Sequence, residues 1–228
     1  MSSVATHEFE MPVPGLDAGV AAVLETPADA VAAYVFAHGA GAGMRHAFIA
    51  ETAAMLHGEH IATLRYQFPY MQAGGHRPDP PARLERTVRA AIATAGTMLP
   101  GVPLFAGGKS MGGRMTSQAA ASEPLSGVRG LAFLGFPLHP PKRPGTTRAR
   151  HLADVTVPML FIQGTRDDLA DLDLIQGVCT GLGGRATLHV VDGGDHSFKV
   201  LKRSGRTQPD VMNEIRDTMS AWLRQHAS

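Results

Sequence analysis

The sequence predicts an α/β chain built on a mostly parallel, doubly wound sheet with helices on both faces. Three observations predict it. Short apolar runs alternate with longer segments of helical period along most of the chain. The strand candidates are continuously apolar rather than alternating, as strands buried on both faces must be. Glycine (26) and proline (16) are abundant enough for many tight strand-to-helix turns, yet below the level of low-complexity sequence.

Taken in order, the runs at residues 7–11 and 20–24 read as antiparallel edge strands. Residues 31–37 form a strand ending at His38-Gly39. Residues 45–57 form a helix whose apolar members are Phe48, Ile49, Ala53, Met55 and Leu56. Residues 61–66 are a strand and 81–99 a long helix. The strand at 103–107 runs straight into Gly108-Lys109-Ser110, and a helix of small residues follows at 111–122. Further strands are expected at 130–136, 158–162 and 186–191, with helices at 169–182 and 209–225. The stretch 90–108 lacks charge, but Pro100, Gly101 and Pro103 interrupt it, so it reads as a helix end, a turn and a strand rather than a membrane span. No repeat or linker divides residues 1–228, which are expected to form one domain. The proline-rich segment after Phe136 is too short for a large lid domain.

Charge excludes some functions. Lys and Arg number 21 against 20 Asp and Glu, a net charge of +1, with basic residues scattered rather than striped. Lys142, Arg143, Arg148 and Arg150 form only a loose cluster, so neither nucleic acid nor a membrane is an expected partner. The one cysteine, Cys179, allows no intramolecular disulfide and suits a reducing compartment. The opening residues are not those of a signal peptide, and a cytoplasmic location is expected.

Gly108-Lys109-Ser110-Met111-Gly112 fits G-x-S-x-G. In that motif the serine sits on a strained turn between strand and helix, and flanking glycines permit a backbone approach that a Cβ would block. The turn lifts the hydroxyl above the sheet and aims the Met111 N–H at a reacting carbonyl oxygen. Among 26 glycines and ten serines the pattern alone is weak; the strand before it and the helix after it make it informative. A phosphate-binding loop would need glycine where Pro103 stands. A dinucleotide fingerprint starting at Gly39 or Gly41 meets Met44 or His46 instead of glycine. The run His38-Gly39-Ala40-Gly41-Ala42-Gly43 suits a second oxyanion donor, with the Ala40 N–H the first choice.

An acid and then a histidine should follow the serine in chain order. Asp167 stands in a turn beyond the strand at 158–162, where the acid belongs, with Asp168 beside it as the alternative. His196, in the glycine-loosened loop at 192–198, combines the right order with a place after the last strand. His189 lies within a strand and His226 in the tail. His57 and His60 lack metal-ligand spacing, so no metal site is read. Phe68, Tyr70 and His139 follow strand ends and, with His38 and Gly41, are candidates to line a substrate site.

Four blocks carry a family resemblance: His38 to Gly43; Arg65-Tyr66-Gln67-Phe68-Pro69-Tyr70 with Arg77-Pro78-Asp79-Pro80; Gly107 to Arg114; and Phe136-Pro137-Leu138-His139-Pro140-Pro141. Gly164-Thr165-Arg166-Asp167 and Gly194-Asp195-His196-Ser197-Phe198 extend it over nearly the whole chain. Through these the chain resembles the α/β-hydrolase-like proteins of the testis-expressed and nuclear acetyltransferase-subunit type, relatives of the dienelactone hydrolases. The resemblance implies the α/β-hydrolase fold and a triad at Ser110, Asp167 and His196. Dienelactone hydrolases use a cysteine nucleophile, so lactone specificity does not carry over to a chain with serine there. The expectation is a serine hydrolase that cleaves an ester or related acyl bond of a small molecule, with no cofactor or metal. An interaction module with an inherited triad is one alternative. Acyl transfer or perhydrolysis by the same residues is the other. Oligomeric state and substrate identity stay open.

Overall fold

The computed structural model describes residues 3–227. Among them lie eight strands: β1 (Val4–Met11), β2 (Val20–Pro27), β3 (Ala32–Ala37), β4 (Ile61–Tyr66), β5 (Leu104–Lys109), β6 (Val128–Leu134), β7 (Met159–Gly164) and β8 (Ala186–Val191). Six helices accompany them: α1 (Ala47–Gly58), α2 (Pro69–Gln72), α3 (Pro81–Met98), α4 (Met111–Ser122), α5 (Leu172–Leu182) and α6 (Gln208–Ala227). All strands join one sheet in the order β1-β2-β4-β3-β5-β6-β7-β8. β1 pairs antiparallel with β2, and β2 with β4, while β3 to β8 run parallel. This is the expected α/β-hydrolase architecture. The segment between β6 and β7 holds a loop and a 3₁₀ stretch, Thr147–Asp154, rather than a lid domain.

Alternate residues of each central strand serve opposite faces. Ala33 and Val35 of β3 face a core shared with α3, α4 and α5, including Val88, Met115 and Ile175. Tyr34 and Phe36 face the other core, built with α1 and α6 through Ile49, Leu56, Ile215 and Trp222. Every residue of β3, β4 and β7 is buried, so their sequences are mostly apolar, with Thr63, Arg65 and Gln163 the polar members. On α6, Trp222 sets its ring edge to Phe105, centroids 5.8 Å apart, and fills the space above Gly130. A Cβ on Gly130 would stand 2.6 Å from that ring, so the strand is bare there to admit it.

Local chemistry moves several ends from their expected places. β5 continues to Lys109, two residues beyond its expected end. β6 stops at Leu134 because Gly135 turns the chain at φ 66°. α5 starts at Leu172, not 169, because the Asp171 side chain accepts the N–H groups of Asp173 and Leu174 and caps it there. The four-residue α2 and the 3₁₀ stretch carry no apolar period long enough to be read. Among the described residues, no helix is long and apolar enough to cross a membrane.

Two histidines are held neutral inside. His38, fully buried after β3, donates from Nδ1 to the Gly39 carbonyl at 2.7 Å and accepts the Phe68 N–H on Nε2 at 3.1 Å. Burial pushes its pKa down to about 4. His151, in the 3₁₀ stretch, shares a 2.8 Å hydrogen bond with Ser117 of α4. Burial, with the nearby Arg114 charge, pushes it down to about 4 as well.

Two outcomes follow from this packing. Trp222→Ala should lower stability by about 3–5 kcal/mol, read as an earlier urea midpoint, and a loss under about 1 kcal/mol would mean that α6 docks without the indole. Between pH 6.5, where a histidine ordinarily titrates, and about 4, the unfolded chain binds protons that folded His38 and His151 refuse. Stability should therefore fall as pH is lowered through that window. Denaturant midpoints of His151→Gln should fall less steeply than those of the parent; parallel curves would refute the assignment.

Candidate active site

The strand order reverses at β3, with β4 on one side and β5 on the other. Ligand sites of open α/β sheets form outside the carboxyl ends of strands at such a switch point. The chain turns there from β5 into α4 through Ser110, whose φ of 51° and ψ of −118° lie outside the ordinary regions for a residue with a Cβ. The turn presses against the end of β3. A Cβ on Gly108 would stand 2.3 Å from the Ala37 carbonyl oxygen, and one on Gly112 would stand 2.5 Å from the same atom. Ser110 is anchored by its own N–H, which donates to Leu134 at 3.1 Å. Met111 opens α4, so its N–H is one of the first-turn donors that no helix carbonyl can accept.

Two loops bring partners to the serine. His196 Nε2 lies 2.9 Å from Ser110 Oγ, and His196 Nδ1 lies 2.7 Å from Asp167 Oδ2. The Asp167 side chain is fully buried. Its Oδ2 also accepts Gln163 Nε2 at 2.5 Å, and its Oδ1 accepts the Leu169 N–H at 2.9 Å. A buried carboxylate costs several kcal/mol unless its lone pairs are met; here a ring, an amide side chain and a backbone group meet them. Asp168, the alternative acid, is exposed. The loop carrying His196 is tied by Asp195, whose Oδ1 accepts the N–H groups of Ser197 and Lys199 at 2.8 and 2.9 Å.

The glycine run after β3 is braced from below. The Gly41 N–H donates to Tyr70 Oη at 3.1 Å, Met44 N–H to Gln67 Oε1 at 2.9 Å and Ala42 N–H to the Gly39 carbonyl at 3.2 Å. No hydrogen bond among the described residues takes the Ala40 N–H, and Ala40 borders the cleft that holds Ser110.

That cleft has a volume of about 330 Å³, and Ala40, Phe48, Ile49, Ser110, Leu169 and His196 are among its lining residues. A separate hollow of about 250 Å³ near Leu125, Leu131 and Val155 has no titratable side chain in its wall. The expected substrate-lining residues need correction: His38, Gly41, Phe68, Tyr70 and His139 do not line the cleft. His38 and Phe68 are fully buried, their rings edge to face at 4.9 Å. Tyr70 spends its hydroxyl on Gly41, whose N–H is thereby committed. His139 accepts the Asp171 N–H at 3.0 Å and donates to the Pro140 carbonyl at 2.9 Å. These side chains support the loops from behind.

The cleft walls that sequence reasoning missed are Phe48 and Ile49, at the start of α1, and Leu169. The available signal was the glycine run, which delivers the first turn of α1 beside the elbow. Lys109 was missed too. Its ammonium turns inward, donating to the His196 carbonyl at 2.5 Å and lying 5.2 Å from the centre of the Phe198 ring. Burial pulls its pKa down to about 8, against the opposing pull of Asp167 and Asp195. Among the described residues, no cluster of three or more His, Cys, Asp or Glu side chains is placed to hold a metal.

Solved structures share this architecture at low identity. The chain resembles a dienelactone hydrolase from Anabaena variabilis, at 19% identity over 97% of this chain and 98% of that one, with a TM-score of 0.75. It is also similar to an alpha-beta serine hydrolase homologue from Coxiella burnetii, at 15% identity over 95% and 97% of the two chains, TM-score 0.75. A serine hydrolase without lid from Xanthomonas campestris matches at 19% identity over 96% and 95%, TM-score 0.72. At these identities the likeness shows the fold. Residues 30–224 match the family described as the alpha/beta hydrolase domain. That match spans most of the chain, which belongs to the alpha/beta-hydrolase family.

Proposed function

We propose that this chain is a serine hydrolase of carboxylic esters or related acyl bonds, working through an acyl-enzyme on Ser110. The observation that carries the reading is the hydrogen-bonded chain Ser110–His196–Asp167 at the floor of the cleft, with links of 2.9 and 2.7 Å. Separations of that size are those proton transfer requires. His196 Nε2 accepts the serine proton as Oγ attacks the acyl carbon. Asp167 holds the imidazole in the tautomer with hydrogen on Nδ1 and balances the imidazolium that forms. The N–H groups of Met111 and Ala40 take the oxyanion, and each such donor is worth about 3 kcal/mol of barrier. His196 then protonates the leaving group, and water, activated by the same ring, releases the acid. An esterase and a serine hydrolase without lid among the structures that share the fold lend support to the reading. A cleft of about 330 Å³ with no lid domain over it suits small acyl substrates.

A fluorophosphonate probe tests the nucleophile. The parent protein should label and Ser110→Ala should not; an unlabelled parent, or a labelled variant, would sink the assignment. With a p-nitrophenyl ester that the parent turns over, Ser110→Ala should lose at least about a thousandfold in kcat and Asp167→Asn a comparable amount. Asp168→Asn should stay within about twofold of the parent, since its side chain is exposed and takes no part in the chain of bonds.

A further inference from the structure

Lys109 and Ser110 are neighbours on the elbow, and both reach His196. Ser110 Oγ bonds the ring at Nε2, at 2.9 Å, while Lys109 Nζ bonds the backbone carbonyl of the same histidine at 2.5 Å. The other ties of the 192–198 loop run elsewhere. Gly193 N–H donates to Thr165 Oγ1 at 2.8 Å, Arg166 N–H donates to the Gly194 carbonyl at 2.8 Å, and Asp195 closes the loop on itself. The first two join the loop to the end of β7, while Arg206 and Gln208 donate to the Asp192 and Phe198 carbonyls and tie it to the segment leading into α6. Among the described residues, only the two made by Lys109 and Ser110 join it to the elbow by hydrogen bonds.

The surroundings are shaped for the ammonium. Phe198 offers its ring face at 5.2 Å, stacked in turn on Phe48 with centroids 5.7 Å apart. On the other side the chain is bare: a Cβ on Gly135 would stand 2.7 Å from Nζ. The charges that reach it are Asp167 and Asp195. Lys109 is half-buried and borders the cleft, and replacing a partly desolvated charge by an apolar side chain of similar length is often neutral or stabilising.

We propose that Lys109 is a positioning residue, clamping the His196 backbone to the elbow so that the imidazole stays aligned between Ser110 and Asp167. Resting on the hydrolase reading above, the clamp gives two consecutive elbow residues a two-point hold on one histidine, one on its main chain and one on its ring. Without it the main chain at His196 keeps its loop's ties to the end of β7 and to the segment leading into α6, but has no bond to the elbow. The Oγ–Nε2 separation would then fluctuate, although substrate would still bind the cleft through Phe48, Ile49 and Leu169.

The test is Lys109→Met, with the shorter Lys109→Gln as a second variant, each checked for folding by circular dichroism and thermal unfolding. Two readouts apply. On a p-nitrophenyl ester, kcat should fall about tenfold to a hundredfold while KM stays within about threefold and the melting temperature is unchanged or raised. In proton NMR, the downfield Nδ1–H signal of His196, identified by its absence in His196→Gln, should broaden and exchange faster with water in either variant. The NMR readout needs no turnover, so an inactive parent protein would sink the hydrolase reading while still deciding the clamp. An unchanged Nδ1–H signal in a folded variant, or a kcat within twofold of the parent, would overturn the assignment. Failure of both variants to fold would make Lys109 a structural residue and overturn it equally.

Discussion

The turn from β5 into α4 exists only because no side chain stands where it meets β3. Gly108 and Gly112 bring their backbone so close to Ala37 that a Cβ at either position would overlap the carbonyl oxygen. That contact holds Ser110 in a conformation that costs of order 1–3 kcal/mol for a residue with a Cβ. The neighbours meet the cost by over-determining the turn: β3 and β6 pair with β5 on either side, and Leu134 takes the Ser110 N–H. The placement of the hydroxyl at the cleft, the free Met111 N–H and the start of α4 follow from one backbone approach. The loops that answer Ser110 are placed relative to it by the parallel register of β7 and β8, whose ends deliver Asp167 and His196 to the same edge.

This explains which parts were legible. β4, α4 and β8 lie where the residue pattern put them: β4 is mostly apolar because it is buried throughout, α4 follows the elbow directly, and the edge strand β8 keeps Ala186, Leu188, Val190 and Val191 as its apolar members. That Ser110, Asp167 and His196 converge was legible from their places past strand ends: parallel strands send every carboxyl end to one side, so a polar residue just past each strand end arrives there. Nothing in that rule distinguishes the two sides of the elbow. Phe68, Tyr70 and His139 also follow strand ends, yet they pack behind the loops, while Phe48, Ile49 and Leu169 form the cleft wall. That division depends on where each loop bends, and caps and single bonds set the bend. Asp171 caps α5 so that it starts at Leu172 rather than Leu169, which leaves Leu169 free to face the cleft while its N–H serves Asp167.

The residues that left the expected cleft wall are better understood as the frame of the glycine run after β3. Three of its polar groups find partners in or beside the segment after β4: Gly41 on Tyr70, Met44 on Gln67, and the His38 ring on the Phe68 N–H. Each bond removes a donor or acceptor that could otherwise rearrange the loop, until the Ala40 N–H is left over beside the cleft. His38 can do this only as a neutral ring. Protonation at Nε2 would set two donors, its own and that of Phe68, against each other, and burial prevents it until the pH is well below neutral. A buried histidine here is therefore a bracket, and its chemistry lies in what it denies to the backbone. The same logic extends across the site. Gln163 fixes Asp167, Asp195 folds the histidine loop, and Lys109 ties that loop to the elbow. The groups poised for reaction are few because nearly every other polar atom around them is already committed.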